Sequence, residues 1–265
     1  MDLGLAGTRA LVTASSKGLG RAVAAQLVDE GATVIISSSD RDNLADAKAA
    51  ILENTDANEN AVRTAVCDLS EPESIPSRLG PAIEDLGGLD VLVTNHGGTT
   101  PLSFEEADFE DFDDAYESVL KSTVATVKTA LPHLKDGGGT ITTLVAASAL
   151  EPPRGSVLNS AIRPGLYGLS KSLADEYSEH GIRTNCVSPR AVLTDRIEYK
   201  IDVLADRENI SREAARDRRT EELPIGRLGS PEEFARAVTF IASPAADFIT
   251  GSVLQVDGGW HRHAF

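Results

Sequence analysis

Residues 13–20 read TASSKGLG, between a short apolar run at 9–13 and a run at 19–30. In the second run Leu19, Ala22, Val23 and Leu27 share one helical face. A strand, a tight glycine turn and a helix start therefore follow one another, and this order constrains the fold more than any other segment. The first N–H groups of a helix have no intrahelical partner, and the helix dipole favours negative charge there. The turn is thus expected to bind an anion on its backbone. Gly18 and Gly20 allow a pyrophosphate to approach closely and the helix to pack onto the strand. A glycine pattern alone is a weak signal, and the strand–helix context strengthens it. An ordinary strand–helix turn is the plain alternative.

Strand and helix signals alternate along the whole chain. Strands are expected at 9–13, 33–37, 61–67, 91–95, 139–145, 183–188 and 253–256. Most are apolar nearly throughout, as parallel strands buried on both faces are. A helix is expected over 159–180, where Ile162, Leu166, Leu169, Leu173 and Tyr177 share a face. Ser230, Pro231, Glu232 and Glu233 read as an N-cap, a proline at the first helical position and two acids, so another helix starts there. Right-handed βα units of this kind build an α/β, doubly wound parallel sheet of about seven strands. Residues 1–265 form one domain, with no linker or repeat. Ligands of such sheets bind beyond the carboxyl ends of the strands. This directs attention to 13–20, 38–41, 67–69, 95–99, 146–156 and 189–194.

Acidic residues number 41 against 25 basic ones, for a net charge of −16. The acids are scattered, which implies a solvated, self-repelling surface and excludes a nucleic-acid footprint. Scarce lysine, abundant aspartate and few large aromatics are similar to the composition of proteins from salt-loving organisms. Cys67 and Cys186 lie at expected strand ends among apolar neighbours and read as buried thiols. No cysteine–histidine cluster suggests a metal. No run reaches the ~18 apolar residues of a membrane span, and the N-terminus lacks a signal-peptide core, so a cytoplasmic location is expected.

Taken together, the segments after the strands resemble the short-chain dehydrogenase/reductase family, in particular its 3-oxoacyl carrier-protein reductase-like members. TASSKGLG resembles the family's TGxxxGxG turn, with Ala14 at the first glycine. Cys67-Asp68-Leu69 matches a strand end whose aspartate meets the adenine. Thr94-Asn95-His96-Gly97 stands where the family has NNAG. NCVSPRAVLT, running from Asn185 through Pro189 to Thr194, resembles the segment over the nicotinamide, with Arg190 replacing a glycine. GRLGSPEEFARAVTFIAS and ITGSVLQVDGG match the family's C-terminal third.

The resemblance implies a Rossmann-type fold and a nicotinamide dinucleotide. It would be held by Thr13, Ser15, Ser16, Lys17, Gly18, Leu19, Gly20, Ser38, Ser39, Asp68, Leu69, Asn95, His96, Gly97, Arg163, Pro189 and Thr194. An acid at the end of the second strand binds the adenine ribose 2′-hydroxyl and favours NAD. Here Ser38 occupies that position, with Lys17 and Arg41 nearby, which favours NADP(H). Asp40 keeps NAD(H) open. The resemblance also implies a homo-oligomer, tetramer or dimer, with the ending Trp260 to Phe265 placed to reach a neighbouring subunit.

The family's carbonyl chemistry uses a tyrosine acid, a lysine four residues later, a serine on the substrate carbonyl and a relay asparagine. Tyr167 and Lys171 fit YxxxK, but GLYGLSKSLA sets a register in which Lys171 matches a second, non-catalytic lysine. The tyrosine position is then Asn159 and the lysine position Arg163. The serine position is Ala146, with Ser148 two residues on, and the relay position is Val119. An amide is no acid near neutral pH, and a guanidinium keeps its proton. Asn159, Arg163 and Ser148 are the remaining candidates for a catalytic role, with His96 a lesser one.

Residues 195–223 read as a lid over the substrate, carrying Arg196, Arg207, Arg212, Arg216, Arg218 and Arg219. Arg154 and Arg190 lie on other loops of the same rim and are the candidate substrate contacts. Arginine forks suit carboxylate or phosphate, so a keto acid, sugar acid or acyl thioester is expected. The alternative is that these arginines pair with Glu208, Glu213, Glu221 and Glu222 on a solvated helix. Two functions follow. One is an NAD(P)-dependent oxidoreductase with a non-standard acid–base set. The other is a dinucleotide-binding sensor or partner subunit without turnover.

Overall fold

The computed structural model describes residues 2–262; His263, Ala264 and Phe265 of the C-terminal ending lie outside the described residues. The strands are β1 (Arg9–Val12), β2 (Thr33–Ser38), β3 (Val62–Val66), β4 (Val91–Thr94), β5 (Gly139–Leu144), β6 (Ile182–Pro189) and β7 (Val253–Val256). They form one parallel sheet in the order β3-β2-β1-β4-β5-β6-β7. The strand order reverses between β1 and β4, and the loops beyond these two strands part to leave a cleft.

Side chains alternate across the sheet, and each face has its own core. On one face Ala10, Val12, Val34, Ile36 and Val93 pack on α1 (Gly18–Asp29), α2 (Arg41–Glu53) and α10 (Pro231–Ala242). On the other, Leu11, Ile35, Leu92 and Ile141 pack on α3 (Ile75–Leu86), α5 (Ser122–Leu134) and α7 (Pro164–Glu176). Phe234 on α10 is fully buried, worth about 2–3 kcal/mol of transfer free energy. That helix starts as the sequence predicts: Ser230 accepts from the Glu233 N–H, and the Glu233 carboxylate accepts from the Ser230 N–H.

The remaining helices surround the cleft. They are α4 (Phe109–Ala115), α6 (Val157–Ile162), α8 (Asp195–Glu208) and α9 (Arg212–Thr220). A π-helical stretch, Tyr116–Lys121, joins α4 to α5. The continuous helix expected over 159–180 is divided into α6 and α7. Pro164 has no N–H to bond back to Ser160, and Arg163 forms the joint. A final 3₁₀ turn, Ser178–His180, stops at Gly181, whose φ is +69°. No described helix is long and apolar enough to cross a membrane.

Cys67 follows β3 directly, whereas Cys186 lies inside β6, opposite Thr143 and Val253, rather than at a strand end. Both are buried and free, and burial raises each thiol to about 11. A thiolate is needed for attack on a disulfide reagent. The folded protein is expected to titrate no thiol with an aromatic disulfide at pH 8 and two after unfolding. Rapid native labelling would show that one of these sites opens.

Candidate active site and cofactor cleft

The turn after β1 is fastened to β4 across the point where the strand order reverses. Thr13 Oγ1 donates to the Asn95 carbonyl oxygen at 2.6 Å and accepts from the Asn95 N–H at 2.8 Å. Asn95 Nδ2 donates to the Ala14 carbonyl oxygen at 2.9 Å. Ala14 has a φ of +44°, the left-handed region that glycine enters freely and other residues enter at a cost of roughly 1–2 kcal/mol. Ser15 is fully buried: its Oγ donates to the Val12 carbonyl oxygen at 2.7 Å and accepts from the Ser37 N–H at 3.0 Å. The hydroxyls of Thr13 and Ser15 therefore brace the turn from inside.

The mouth of the turn is open. Lys17 is the exposed N-cap of α1, makes no side-chain capping bond, and no acid occupies the first turn. A Cβ on Gly20 would fall onto the Ala14 carbonyl oxygen and 2.8 Å from Asn95 Nδ2. A Cβ on Gly18 would stand 3.8 Å from Thr194 Cγ2, so Thr194 faces the turn across the cleft. These residues fit a dinucleotide diphosphate, with uncapped N–H groups and no competing carboxylate.

Towards the adenine end, Ser16 Oγ lies 3.0 Å from Ser38 Oγ, and Ser39 is exposed. The exposed Asp40 carboxylate caps α2, one oxygen accepting from the Asn43 N–H at 2.8 Å. Arg41 is exposed at the first turn of that helix. Asp68 Oδ1 accepts from the Ser70 N–H and hydroxyl, and Leu69 packs against the α3–α5 core.

Beyond Leu19 and Asn95 the cleft opens into a cavity of about 270 Å³. Its walls include His96, Gly98, Ala146, Ser148, Asn159, Arg163, Pro189 and Thr194. Arg163 is 6% exposed and holds three acceptors. Its Nε donates to Asn159 Oδ1 at 2.6 Å, one terminal nitrogen to the Val145 carbonyl oxygen at 3.1 Å, and the other to that of Gly97 at 3.3 Å. Asn159 Nδ2 donates in turn to Ser156 Oγ at 3.2 Å. Burial, and then the charge of Arg196, lowers the Arg163 guanidinium to about 10, so it is a cation at neutral pH. His96 is buried with Nδ1 3.2 Å from the Gly97 carbonyl oxygen. Burial and the Arg163 charge push its pKa down to about 3, leaving a neutral ring.

Tyr167 points elsewhere. Its hydroxyl reaches the Ala146 carbonyl oxygen and Ser188 Oγ, both at 3.4 Å, and burial raises its pKa. Its ring packs with Val119, Val145, Leu166 and Cys186. Val119 lies in the π-helical stretch, and its carbonyl oxygen accepts from the Thr123 hydroxyl at 2.7 Å and the Ser122 hydroxyl at 3.2 Å.

Four of the six lid arginines divide into two groups. Arg212 pairs with Glu198 and with Asp202 at 2.7 Å, Arg218 with Glu208, and Arg207 with Glu208 at 3.1 Å. Arg207 and Arg218 meet the expected Glu208, Arg212 pairs with two acids of α8 that the expectation did not name, and Arg190 meets the expected Glu222 at 3.4 Å. Arg196 instead lines the cavity: its guanidinium lies over Gly98, where any Cβ would collide with it, and donates to the Thr99 carbonyl oxygen at 3.3 Å. Arg190 and Lys200 line the same cavity. Arg154 is exposed and is not among the lining residues, because its loop turns outward at Gly155, whose φ is +69°. Lys200 was not singled out from the sequence. Its signal was present, since it lies four residues after Arg196 and so shares its face of α8. The placement of Trp260 over Arg190 had no comparable local signal.

A doubly wound parallel sheet with an open glycine turn at the strand-order reversal defines a dinucleotide-binding class of fold. A family model described as enoyl-(acyl carrier protein) reductase matches residues 13–261. The 3-oxoacyl-acyl-carrier-protein reductase of Aquifex aeolicus is 31% identical over 262 residues, covering 98% of this chain and 99% of that one. L-sorbose reductase from Gluconobacter frateurii, solved with NADPH and L-sorbose, superposes with a TM-score of 0.93 at 28% identity, covering 99% and 100% of the two chains. A short-chain oxidoreductase from Pseudomonas aeruginosa, described as containing an atypical catalytic center, gives 0.88 at 29% identity, covering 97% and 98%. The chain belongs to the short-chain dehydrogenase/reductase family, whose members bind NAD(P).

Proposed function

We propose that this protein is an NADP(H)-dependent oxidoreductase that interconverts a carbonyl and an alcohol on a small anionic substrate, with a non-standard proton-handling set. One observation carries the reading: the open glycine turn leads into a cavity bounded by Arg163, Arg190, Arg196 and Lys200, with no acidic side chain among its described lining residues. When bound, the nicotinamide supplies or accepts the hydride. The α1 N-terminus and Gly18–Gly20 backbone hold the diphosphate, and Asn95 keeps that turn shut. Arg163 has five N–H donors, of which three bonds to protein acceptors are formed, leaving capacity for ribose hydroxyls. Asn159 orients it. Ser148, one of the hydroxyl residues lining the cavity with Ser156 and Thr194, is assigned to polarise a substrate oxygen. Assays of NADPH oxidation with keto acids, β-keto acyl thioesters and sugar acids test the proposal. Absence of turnover with all three, at saturating cofactor, counts against it.

NADP(H) is favoured over NAD(H) because Ser38 and Ser39 offer hydroxyls at the end of β2. The Gluconobacter relative, solved with NADPH, supports the same choice. Ser38→Asp places an acid where a 2′-phosphate would sit. It is expected to weaken NADPH binding at least tenfold and to improve the NADH to NADPH ratio of kcat/KM. An unchanged ratio would remove Ser38 from the cofactor site.

A second reading, a cofactor-binding sensor or partner subunit, draws on the absence of an acid in the family's tyrosine position. The Asn159 amide holds Arg163, and Tyr167 turns towards Ser188. It predicts dinucleotide binding without turnover, and creation of activity by Asn159→Tyr with Arg163→Lys. A homo-oligomer, dimer or tetramer, and a cytoplasmic location complete the proposal; light scattering coupled to gel filtration tests the former.

A further inference from the structure

We propose that Arg190, Arg196 and Lys200 form a clamp for the carboxylate of a small oxo or hydroxy acid, with Trp260 holding Arg190 in place. The inference rests on reading the cavity as the substrate site. Its first support is the contrast within the lid. Arg207, Arg212 and Arg218 each meet a carboxylate, and Arg190 meets Glu222, while Arg196 and Lys200, which line the cavity, meet none among the described residues. Among the described residues, Arg196 has only the neutral Thr99 carbonyl oxygen as a hydrogen-bond acceptor. Lys200 has no ion pair or hydrogen bond among the described residues. In a chain of net charge −16, Arg163, Arg190, Arg196 and Lys200 line this cavity with no acidic side chain among its described lining residues.

The second support is convergence. Burial lowers the Lys200 pKa, and then Arg196, Arg219 and Arg190 lower it further. Charges from the loop after β6, from α8 and from α9 therefore repel one another here. An anion bound between them relieves that repulsion.

The third support is a built anchor. The Arg190 guanidinium stacks on the Trp260 ring at 3.8 Å and lies 3.4 Å from Glu222 Oε2. Trp260 Nε1 donates to the same Glu222 oxygen at 3.2 Å. The stack fixes the plane of the guanidinium, and the exposed pair with Glu222 is worth only about 0–1 kcal/mol, so a carboxylate competes well for the remaining N–H groups.

Trp260 is the only tryptophan in the chain, so its fluorescence reports on Arg190 directly. With the protein saturated in NADP⁺, titration with 2-oxoglutarate and gluconate is expected to give a saturable change in Trp260 emission. Lys200→Gln and Arg196→Gln should each weaken carboxylate binding at least tenfold, with the melting temperature and NADPH affinity unchanged. Inorganic phosphate binding more tightly than either acid overturns the carboxylate assignment. Equal binding of neutral L-sorbose, or no loss in the two variants, overturns the clamp. Loss of NADPH affinity in the variants instead assigns these cations to the cofactor diphosphate and overturns it as well. Carboxylate binding without turnover leaves the clamp standing and defeats the oxidoreductase reading. Turnover of neutral carbonyls with no carboxylate binding does the reverse.

Discussion

Gly20→Val is expected to reduce dinucleotide affinity by at least a hundredfold, measured by NADPH fluorescence titration, and to lower the melting temperature. The turn leaves no room for a side chain. A Cβ there collides with the Ala14 carbonyl oxygen and crowds Ser15 and the Asn95 amide, all on the fastening between β1 and β4. Ala14 already sits at a φ of +44°, so it cannot yield without losing its bond to Asn95. Relief requires α1 to move away from the sheet, carrying its uncapped N–H groups away from the diphosphate. Overpacking of this kind costs roughly 1–3 kcal/mol even where some relaxation is available. Near-normal NADPH binding by the folded variant would show that the diphosphate lies elsewhere. As a milder counterpart, Ala14→Gly is expected to stabilise the protein by releasing the left-handed strain, with cofactor binding retained.

Arg163→Met should be among the most damaging single changes to the cavity. The methionine fills similar space but leaves the Val145 carbonyl oxygen and the Asn159 amide oxygen without their donor, while the exposed Gly97 carbonyl oxygen keeps His96 Nδ1 within 3.2 Å. Each buried acceptor left unmade costs about 1–3 kcal/mol, so the expected loss is about 2–5 kcal/mol once water reaches part of the site. At about 2–4 °C per kcal/mol for a domain approaching this size, the melting temperature should fall by roughly 10 °C. Thermal denaturation with and without NADPH measures both consequences, because the variant should also lose most of the cofactor-dependent stabilisation. A stable Arg163→Met variant that is still shifted upward by NADPH would show that Arg163 neither holds the cavity together nor meets the ribose. Arg163→Lys is expected to lie between the two, since an ammonium cannot span acceptors on three elements as a planar fork does.

Much of the architecture was legible from local pattern. The strands fall within about a residue of expectation because buried parallel strands are continuous apolar runs, and Ser230 through Glu233 start α10 as capping chemistry demands. The division of the 159–180 helix was written in Pro164, which was outweighed by the apolar stripe running through it. The interior position of Cys186 was less legible, since β6 runs two residues further than its most apolar part suggests. The inward-facing hydroxyls of Thr13 and Ser15 could not be separated from the outward-facing members of the same turn, because a turn has no periodicity.

What the amino-acid sequence alone determined is the order of βα units and the open glycine turn, since both depend on residues close together in the chain. What only the tertiary structure decided is the purpose of the charges around that turn. Whether an arginine meets a neighbouring glutamate or faces a shared cavity depends on where elements some tens of residues apart converge. Arg163, Arg190, Arg196 and Lys200 come from the α6–α7 joint, the loop after β6 and the lid. Trp260, near the C-terminus, anchors one of them. Side-chain pairing over such separations follows from packing, and the spacing along the chain does not encode it.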